Sequence, residues 1–300
     1  RGEAGARERA QAAPGGLTMD RRNPRWWVSP PGPDESLRSL LARVADLYES
    51  EPGELWSRLN ADDPRAAGEV DDPSCAALHR MAQALGVPGA SLQAHRLHET
   101  PGLLAPAARA AMCPCCWAED DAAGRPRSYR RPWAHVLRAA CPIHRVPLVI
   151  PRDRLQPDLA GAHAQQDALT PDDLQILGLI ERFGATLEAA LCDGAAWPTE
   201  WQGSAVTARQ AIVQVSFNPG GVRGPPVIAN VCPSPTLASV VHGPLHYRGP
   251  DQAADWEAFR RLADPCARRA ALWVVAWQVA PELPELYSPG WVDGGRVMMT

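Results

Sequence analysis

Four side chains with metal-binding chemistry occur in two short pairs near the middle of the chain. Cys113 and Cys116 form the first pair. Cys141 and His144 form the second, and both pairs follow the pattern Cys-Pro-x-Cys or Cys-Pro-x-His. Two such pairs joined by a loop supply the four ligands of a tetrahedral zinc ion. The spacing therefore predicts one structural zinc in a closed Cys3His site, because four protein ligands leave no position for an activated water.

Two other interpretations of these cysteines remain open. They can be thiols without a metal, or they can form a disulfide, although the sequence carries no mark of secretion. Cys115 fits only a Cys-x-Cys pairing, so we interpret it as a neighbour of the site or a substitute ligand. Three further cysteines without a partner at ligand spacing are interpreted as small buried apolar residues, and they are Cys192, Cys232 and Cys266.

The segment between and around the second ligand pair is rich in arginine. Residues 122–145 contain six arginines and no carboxylate. A run of like charges is commonly a solvated face of the protein. Alternatively, planar guanidinium groups make bidentate contacts with phosphates. The second interpretation predicts a nucleic-acid-binding surface formed by Arg125, Arg127, Arg130, Arg131, Arg138 and Arg145.

Several helices are predicted before this segment. Asp34-Glu35-Ser36 opens a helix with apolar residues at three-to-four spacing over 37–48, and a second short helix begins at Pro52. A third helix, over 75–85, stops at a glycine and is followed by a helix through Leu97. A helix, a tight turn and a second helix predict a helix-turn-helix, and an ordinary pair of packed helices fits the spacing equally well.

Two further helices are predicted towards the C-terminus. Thr170-Pro171-Asp172-Asp173 has the cap, the first-turn proline and the carboxylate of a capping box. Asp264-Pro265 opens a helix whose apolar residues surround more of its circumference than a surface helix needs. Either the C-terminal domain or a second copy of the chain covers this helix, with Trp273 and Trp277 near its centre. Residues 193–250 indicate a short hairpin or loops.

These patterns predict a mainly α protein, in which an N-terminal helix-turn-helix-like domain precedes a zinc-finger module and a helical C-terminal domain. The abundance of proline and glycine favours several small domains. The predicted divisions are a disordered basic arm over 1–33, the helical domain over 34–108, the zinc module over 109–150, a linker over 151–169 and the C-terminal domain over 170–300.

Composition limits the classes of function. The net charge is −4 and all 30 basic residues are arginine, so any DNA contact must come from local patches. No phosphate-binding Gly-x-x-x-x-Gly-Lys is present, and Glu119, Asp120 and Asp121 are interpreted as an exposed loop, so we predict no catalytic residues and a non-enzymatic protein. No apolar run reaches the roughly 18 residues of a membrane span, and no signal-peptide core is evident, which favours a cytoplasmic location.

Several short motifs follow one another in a specific order between residues 20 and 150. They are Pro33-Asp34-Glu35-Ser36-Leu37, Leu85-Gly86-Val87-Pro88, Cys113-Pro114-x-Cys116, Tyr129-Arg130-Arg131-x-Trp133 and Cys141-Pro142-x-His144. In this order they resemble the TniQ family of accessory factors in DNA transposition. A weaker similarity occurs at Asp264-Pro265-x-x-Arg268-Arg269. Many relatives carry a second Cys-x-x-Cys pair after the leucine that matches Leu148, and this chain does not.

The resemblance implies an adaptor that helps to select the insertion site. Such an adaptor binds target DNA or a targeting complex, including an RNA-guided one, and recruits a transposon AAA+ ATPase. TniQ-like proteins can act as dimers, which makes a homodimer one expected assembly. The alternative is a zinc-stabilised helix-turn-helix transcriptional regulator, which has the same elements and no ATPase partner.

Overall fold

The computed structural model describes residues 26–65, 67–151, 167–217 and 255–280, without the side chains of Asp172 and Trp277. This part of the chain contains nine α-helices and no strand, which confirms the mainly α fold class. In the same part, no helix has both the length and the apolar composition needed to cross a membrane. The helices are α1 Leu37–Leu47, α2 Pro52–Leu59, α3 Cys75–Leu85, α4 Gly89–Gln93, α5 Pro114–Ala122, α6 Pro171–Cys192, α7 Ala205–Phe217, α8 Trp256–Arg260 and α9 Pro265–Val279.

The described residues form two compact units. Residues 26–30 and 40–96 belong to the first unit, and residues 31–39 and 97–280 belong to the second. The predicted zinc module and the C-terminal helices therefore lie in one unit. The domain boundaries predicted from the sequence stay predictions. Most of the predicted arm and linker, and residues 218–250, lie outside the described residues.

Adjacent tryptophans at the start of the described chain differ in environment. Trp26 is 4% exposed, and its backbone N–H donates to the Ala84 carbonyl at 2.6 Å. Trp27 is 67% exposed, and its backbone N–H donates to the Tyr48 hydroxyl at 2.9 Å. Of the two, Trp26 is the residue that anchors this segment in the first unit.

The helix pair α3 and α4 is shorter than the sequence indicates. α3 has the predicted bounds and ends at Gly86, whose φ of 67° is readily adopted by glycine. α4 ends at Gln93, so the prediction of a helix through Leu97 is wrong. The chain leaves the helix because Leu97 belongs to the second unit, where it packs in a small buried cluster with Leu103 and Ala134.

The long helices α6 and α9 of the second unit begin with the caps that the sequence predicts. At α6, the Thr170 hydroxyl accepts from the Asp173 N–H at 3.2 Å, and the Asp173 carboxylate accepts from the Thr170 N–H at 2.8 Å. This is the complete capping box, which satisfies backbone donors at both positions. At α9, the Asp264 carboxylate accepts from the Cys266 N–H at 2.8 Å.

The chain's own helices cover α9. The side chains of Leu272, Trp273 and Val275 are at most 1% exposed and belong to the core formed with α6, α7 and α8. The apolar circumference of α9 is therefore explained by core packing, the first of the two alternatives. Burial of Trp273 does not require a second copy.

Helix α7 lies where the sequence indicated a hairpin or loops, so that expectation is wrong for 205–217. The Ser204 hydroxyl accepts from the Thr207 N–H at 3.3 Å at the start of the helix. Ala208, Ile212 and Ser216 are buried at four-residue spacing. This face packs in the core of the second unit, and such tertiary packing overrides the weak helix propensity of the β-branched residues in this segment.

Candidate metal centre and its arginine-rich surroundings

The first ligand pair is placed by the N-terminus of α5, a helix that the sequence analysis missed. Cys113 is the N-cap residue, Pro114 occupies the first turn, and Cys116 lies one turn into the helix. Unpaired N–H groups and the positive end of the helix dipole favour thiolates at this position. The acidic residues interpreted as an exposed loop belong to this helix, so that interpretation is wrong.

The second ligand pair lies on a tight turn between two short extended segments. Ala140 and Pro147 form an antiparallel bridge, and the Cys141 N–H donates to the Val146 carbonyl at 2.8 Å. The Arg145 N–H then donates to the Cys141 carbonyl at 2.8 Å, with Arg145 at a φ of 56° in the left-handed region. This turn brings Cys141 close to His144 and leaves both facing α5.

The four predicted ligand atoms lie within 4.8 Å of one another. The Cys116 Sγ is 3.7 Å from the Cys141 Sγ and 3.3 Å from the His144 Nδ1. The Cys113 Sγ is 3.6 Å from the same nitrogen. Metal–sulfur bonds of 2.3 Å in a tetrahedron require neighbouring ligands about 3.8 Å apart. The four atoms thus have the spacing of the corners of a tetrahedron that can hold one metal ion.

Burial and electrostatics also suit a metal. The three ligand cysteines are fully buried. Hydrogen bonds to Cys116 and Cys141, together with burial, raise the pKa of the Cys113 thiol. Hydrogen bonds from Cys113 and Cys116 lower the pKa of Cys141. A cluster of sulfurs in such close contact can carry several negative charges only when a cation neutralises them.

The fourth ligand is oriented by a carboxylate. The His144 Nε2 lies 2.9 Å from the Glu119 Oε1, so this nitrogen donates and Nδ1 faces the sulfurs. Burial lowers the pKa of His144, but the hydrogen bonds to Glu119 and Cys141 raise it above the ordinary value overall. Both Glu119 and the first ligand pair come from α5, which therefore carries two ligands and positions a third.

Two of the motifs that carry the family resemblance pair with each other. The Ser36 N–H donates to the Tyr129 carbonyl at 3.0 Å, and the Tyr129 N–H donates to the Ser39 hydroxyl at 2.9 Å. The Arg131 N–H donates to the Asp34 carbonyl at 2.7 Å, and its guanidinium binds the Asp34 carboxylate at 2.9 Å. The start of α1 is thereby fixed to the segment between the ligand pairs.

Comparison with family models gives a match to TniQ. The TniQ model matches residues 27–148, less than half of the chain but a region that includes all four candidate metal ligands. Over residues 27–148, the chain is similar to the TniQ family. The resemblance found in the motifs is confirmed, and it associates the protein with an adaptor family of DNA transposition. Searches of curated proteins and of solved structures returned no match.

Carboxylates of α5 pair with the arginine run in the TniQ region. Arg125 and Arg130 bind Asp120 at 2.9 and 3.4 Å, and Asp120 is only 3% exposed. Arg127 binds Asp121 at 2.7 Å, and this hydrogen bond lowers the pKa of the Asp121 carboxyl. The run contains no carboxylate of its own, but the fold supplies them from the preceding helix.

Five of the six predicted phosphate-binding arginines therefore form ion pairs with carboxylates of the protein itself. The Arg125 side chain remains 52% exposed, whereas that of Arg130 is 14% exposed. Arg145 is exposed on the turn of the second ligand pair. The nucleic-acid-binding role of the whole set stays a prediction.

The fifth arginine of the set, Arg138, lies in a half-buried ionic cluster. Its guanidinium binds Glu181 and Glu188 of α6, with an Nε to Glu188 Oε2 distance of 2.9 Å. His135 pairs with Glu188 as well. Burial raises the pKa of Glu181 to about 7, and Arg138 offsets only part of this effect.

This cluster predicts a pH-dependent stability. The fold favours protonated Glu181, so its contribution to the free energy of unfolding is greatest below the ordinary value of 4.5 and falls as the pH rises towards 7. Relative to Glu181→Gln, the wild type should lose on the order of 3 kcal/mol over that interval. Urea unfolding of both proteins at several pH values measures the difference.

Glu188→Gln provides a control of opposite sign. Burial raises the pKa of Glu188, but bonds to His135 and Arg138 lower it below the ordinary value overall. Its contribution is therefore present above that value and is lost as the pH falls. A difference between wild type and Glu181→Gln that is constant with pH would contradict the assignment.

Proposed function

We propose that this protein is a non-catalytic adaptor for DNA transposition that contributes to target-site selection and recruits the AAA+ ATPase of its transposon. The observation that carries the proposal is the TniQ match over residues 27–148. Within that region, we assign partner binding to the module around the Cys3His cluster and to the helix pair α3 and α4. An adaptor needs such surfaces and no reactive group, because it acts by bringing partners together.

The ion in the centre is proposed to be one structural Zn²⁺. Three thiolates and one imidazole in a closed tetrahedral arrangement are typical zinc ligands. When bound, the ion supplies a covalent-like cross-link between α5 and the turn of the second pair. Cys113, Cys116, Cys141 and His144 hold it, and Glu119 orients the histidine.

The proposed DNA contacts are phosphate contacts from exposed arginines. Three positions that suit this role are Arg125, Arg127 and Arg145, whose side chains reach solvent near the metal module. Arg138 is less suited, because two carboxylates of α6 already bind its guanidinium. α4 has only five residues, which limits the base contacts that a recognition helix at this position can make.

The DNA proposal predicts a specific change in salt dependence. Replacing Arg125, Arg127 and Arg145 together by glutamine should weaken binding to all DNA sequences. The slope of log affinity against log salt should fall in magnitude by about 2 to 3, because each phosphate that loses its arginine keeps its counterion when the protein binds. The matched control replaces the exposed residues Arg58 and Arg261. Equal slopes in the wild type and the triple variant would mean that these arginines form a solvated face and do not contact phosphates.

Recruitment is tested separately. Pull-down of the transposon's AAA+ ATPase by this protein, with and without target DNA, should retain the ATPase in at least the DNA-containing sample. Retention without any affinity for free DNA would favour docking on a targeting complex, including an RNA-guided one. DNA binding without ATPase retention under both conditions would contradict the adaptor proposal and favour a DNA-binding regulator.

A further inference from the structure

Two buried arginines at the start of α9 bind the backbone that carries the second ligand pair. Arg268 is 0% exposed and Arg269 is 3% exposed. The Arg269 Nη1 donates to the carbonyl oxygens of Ala139 and Leu148, both at 2.9 Å. The Leu148 N–H also donates to the Ala139 carbonyl at 3.2 Å. One nitrogen of α9 thus joins both segments that lead to and from the metal-binding turn.

Arg268 holds the segment immediately before that turn. Its Nη1 donates to the carbonyl oxygens of His135, Val136 and Arg138 at 3.1, 3.2 and 3.1 Å. α6 binds the same segment through ion pairs to the side chains of His135 and Arg138. α9 therefore binds four backbone carbonyls of this segment, and α6 binds the side chains of His135 and Arg138.

Two buried guanidinium groups are an unfavourable way to fill a core, which indicates that they have another role. Burying a guanidinium away from water is unfavourable, and an apolar residue of similar volume is often at least as stabilising. The Nη1 atoms of Arg268 and Arg269 donate to backbone carbonyl oxygens. Their geometry fixes a backbone path, which is what a metal site needs from the chain that presents its ligands.

We infer that Arg268 and Arg269 are positioning residues of the metal centre, which orient the turn carrying Cys141 and His144 from a helix more than a hundred residues further along the chain. The inference rests on the proposed metal site. A turn that is already ordered loses little conformational freedom when the ion binds, so the affinity for the metal is higher. Loss of these bonds leaves all four ligands present but places two of them less well.

The test compares metal affinity with general stability in the full-length protein. Arg269→Met removes both carbonyl contacts and keeps an apolar side chain in the core. Val275→Ala is the matched control, because Val275 is fully buried on the same helix and packs in the core of the second unit. Zinc affinity is measured by competition with a chelator, and ligand geometry by the visible absorption of the Co²⁺-substituted protein.

We expect Arg269→Met to weaken zinc binding by about tenfold to a hundredfold, the effect typical of losing a group that orients metal ligands. Its Co²⁺ spectrum should differ from that of wild type, whereas Val275→Ala should keep the wild-type spectrum and nearly the wild-type affinity. Arg269→Lys replaces this test if the methionine variant does not fold. It retains a charge and a donor nitrogen, so its zinc affinity should be lower than that of the wild type by less than the loss expected for Arg269→Met.

Three results would overturn the inference. One is equal loss of affinity in Arg269→Met and Val275→Ala, which would assign the effect to general destabilisation. Another is wild-type affinity and spectrum in Arg269→Met or, if that variant does not fold, no weaker binding in Arg269→Lys than in Val275→Ala. The third is a folded wild type that takes up neither zinc nor cobalt, and this result is distinguishable because it refutes the metal centre itself.

Discussion

Cys141→Ser is expected to release the metal and to unfold the region around residues 110–150. Cys141 is fully buried, and its sulfur lies 3.7 Å from that of Cys116 and 3.8 Å from the His144 Nδ1. A serine hydroxyl is a poor zinc ligand, and structural zinc contributes on the order of 10 kcal/mol of apparent binding energy to small domains. Metal content and near-ultraviolet circular dichroism of the variant measure both losses.

Cys115→Ser is the matched control for this experiment. Cys115 lies between the two ligands of the first pair but outside the four-residue cluster. The variant should therefore keep one metal ion per chain and wild-type unfolding. If Cys115→Ser loses the metal and Cys141→Ser retains it, the ligand assignment is wrong.

Gly184→Ala is expected to destabilise the second unit by about 3 kcal/mol, at the upper end of typical overpacking costs. Gly184 lies in α6, and a Cβ at this position would overlap the backbone carbonyl oxygen of Leu137. A backbone oxygen cannot move aside as a flexible side chain can. The segment that leads into the second ligand pair would therefore separate from α6, and chemical denaturation measures the loss.

Gly178→Ala is the control on the same helix. No atom lies within 4 Å of a Cβ at Gly178, so the substitution meets open space. It should stabilise the protein by about 0.5 to 1 kcal/mol, because alanine loses less backbone entropy in a helix. Equal effects of the two substitutions would mean that α6 does not approach the Leu137 backbone so closely.

Features set by nearby residues were predictable from the sequence. The Thr170 cap and the first-turn proline of α6, the Asp264 cap of α9 and the glycine after α3 each act within a few positions of the helix end that they determine. The candidate ligands could also be predicted, because the two residues of each pair are three positions apart and this spacing is typical of zinc ligands.

Features set by distant contacts were not predictable. The arginine run has no carboxylate in its own sequence, so its pairing with Asp120 and Glu181 became visible only when α5 and α6 were placed beside it. α5 was missed because a short acidic segment after two cysteines has little hydrophobic periodicity. The motif that includes Arg269 resembled the family, but no local pattern indicates that its partners are Ala139 and Leu148.

The most direct test of the account is X-ray absorption spectroscopy at the zinc edge on the full-length protein purified without added metal. The metal centre predicts one zinc per chain, bound by three sulfurs at about 2.3 Å and one nitrogen at about 2.0 Å, with no coordinated water oxygen. A folded protein without zinc would contradict the account, and so would a zinc ion bound by oxygen ligands or by fewer than three sulfurs.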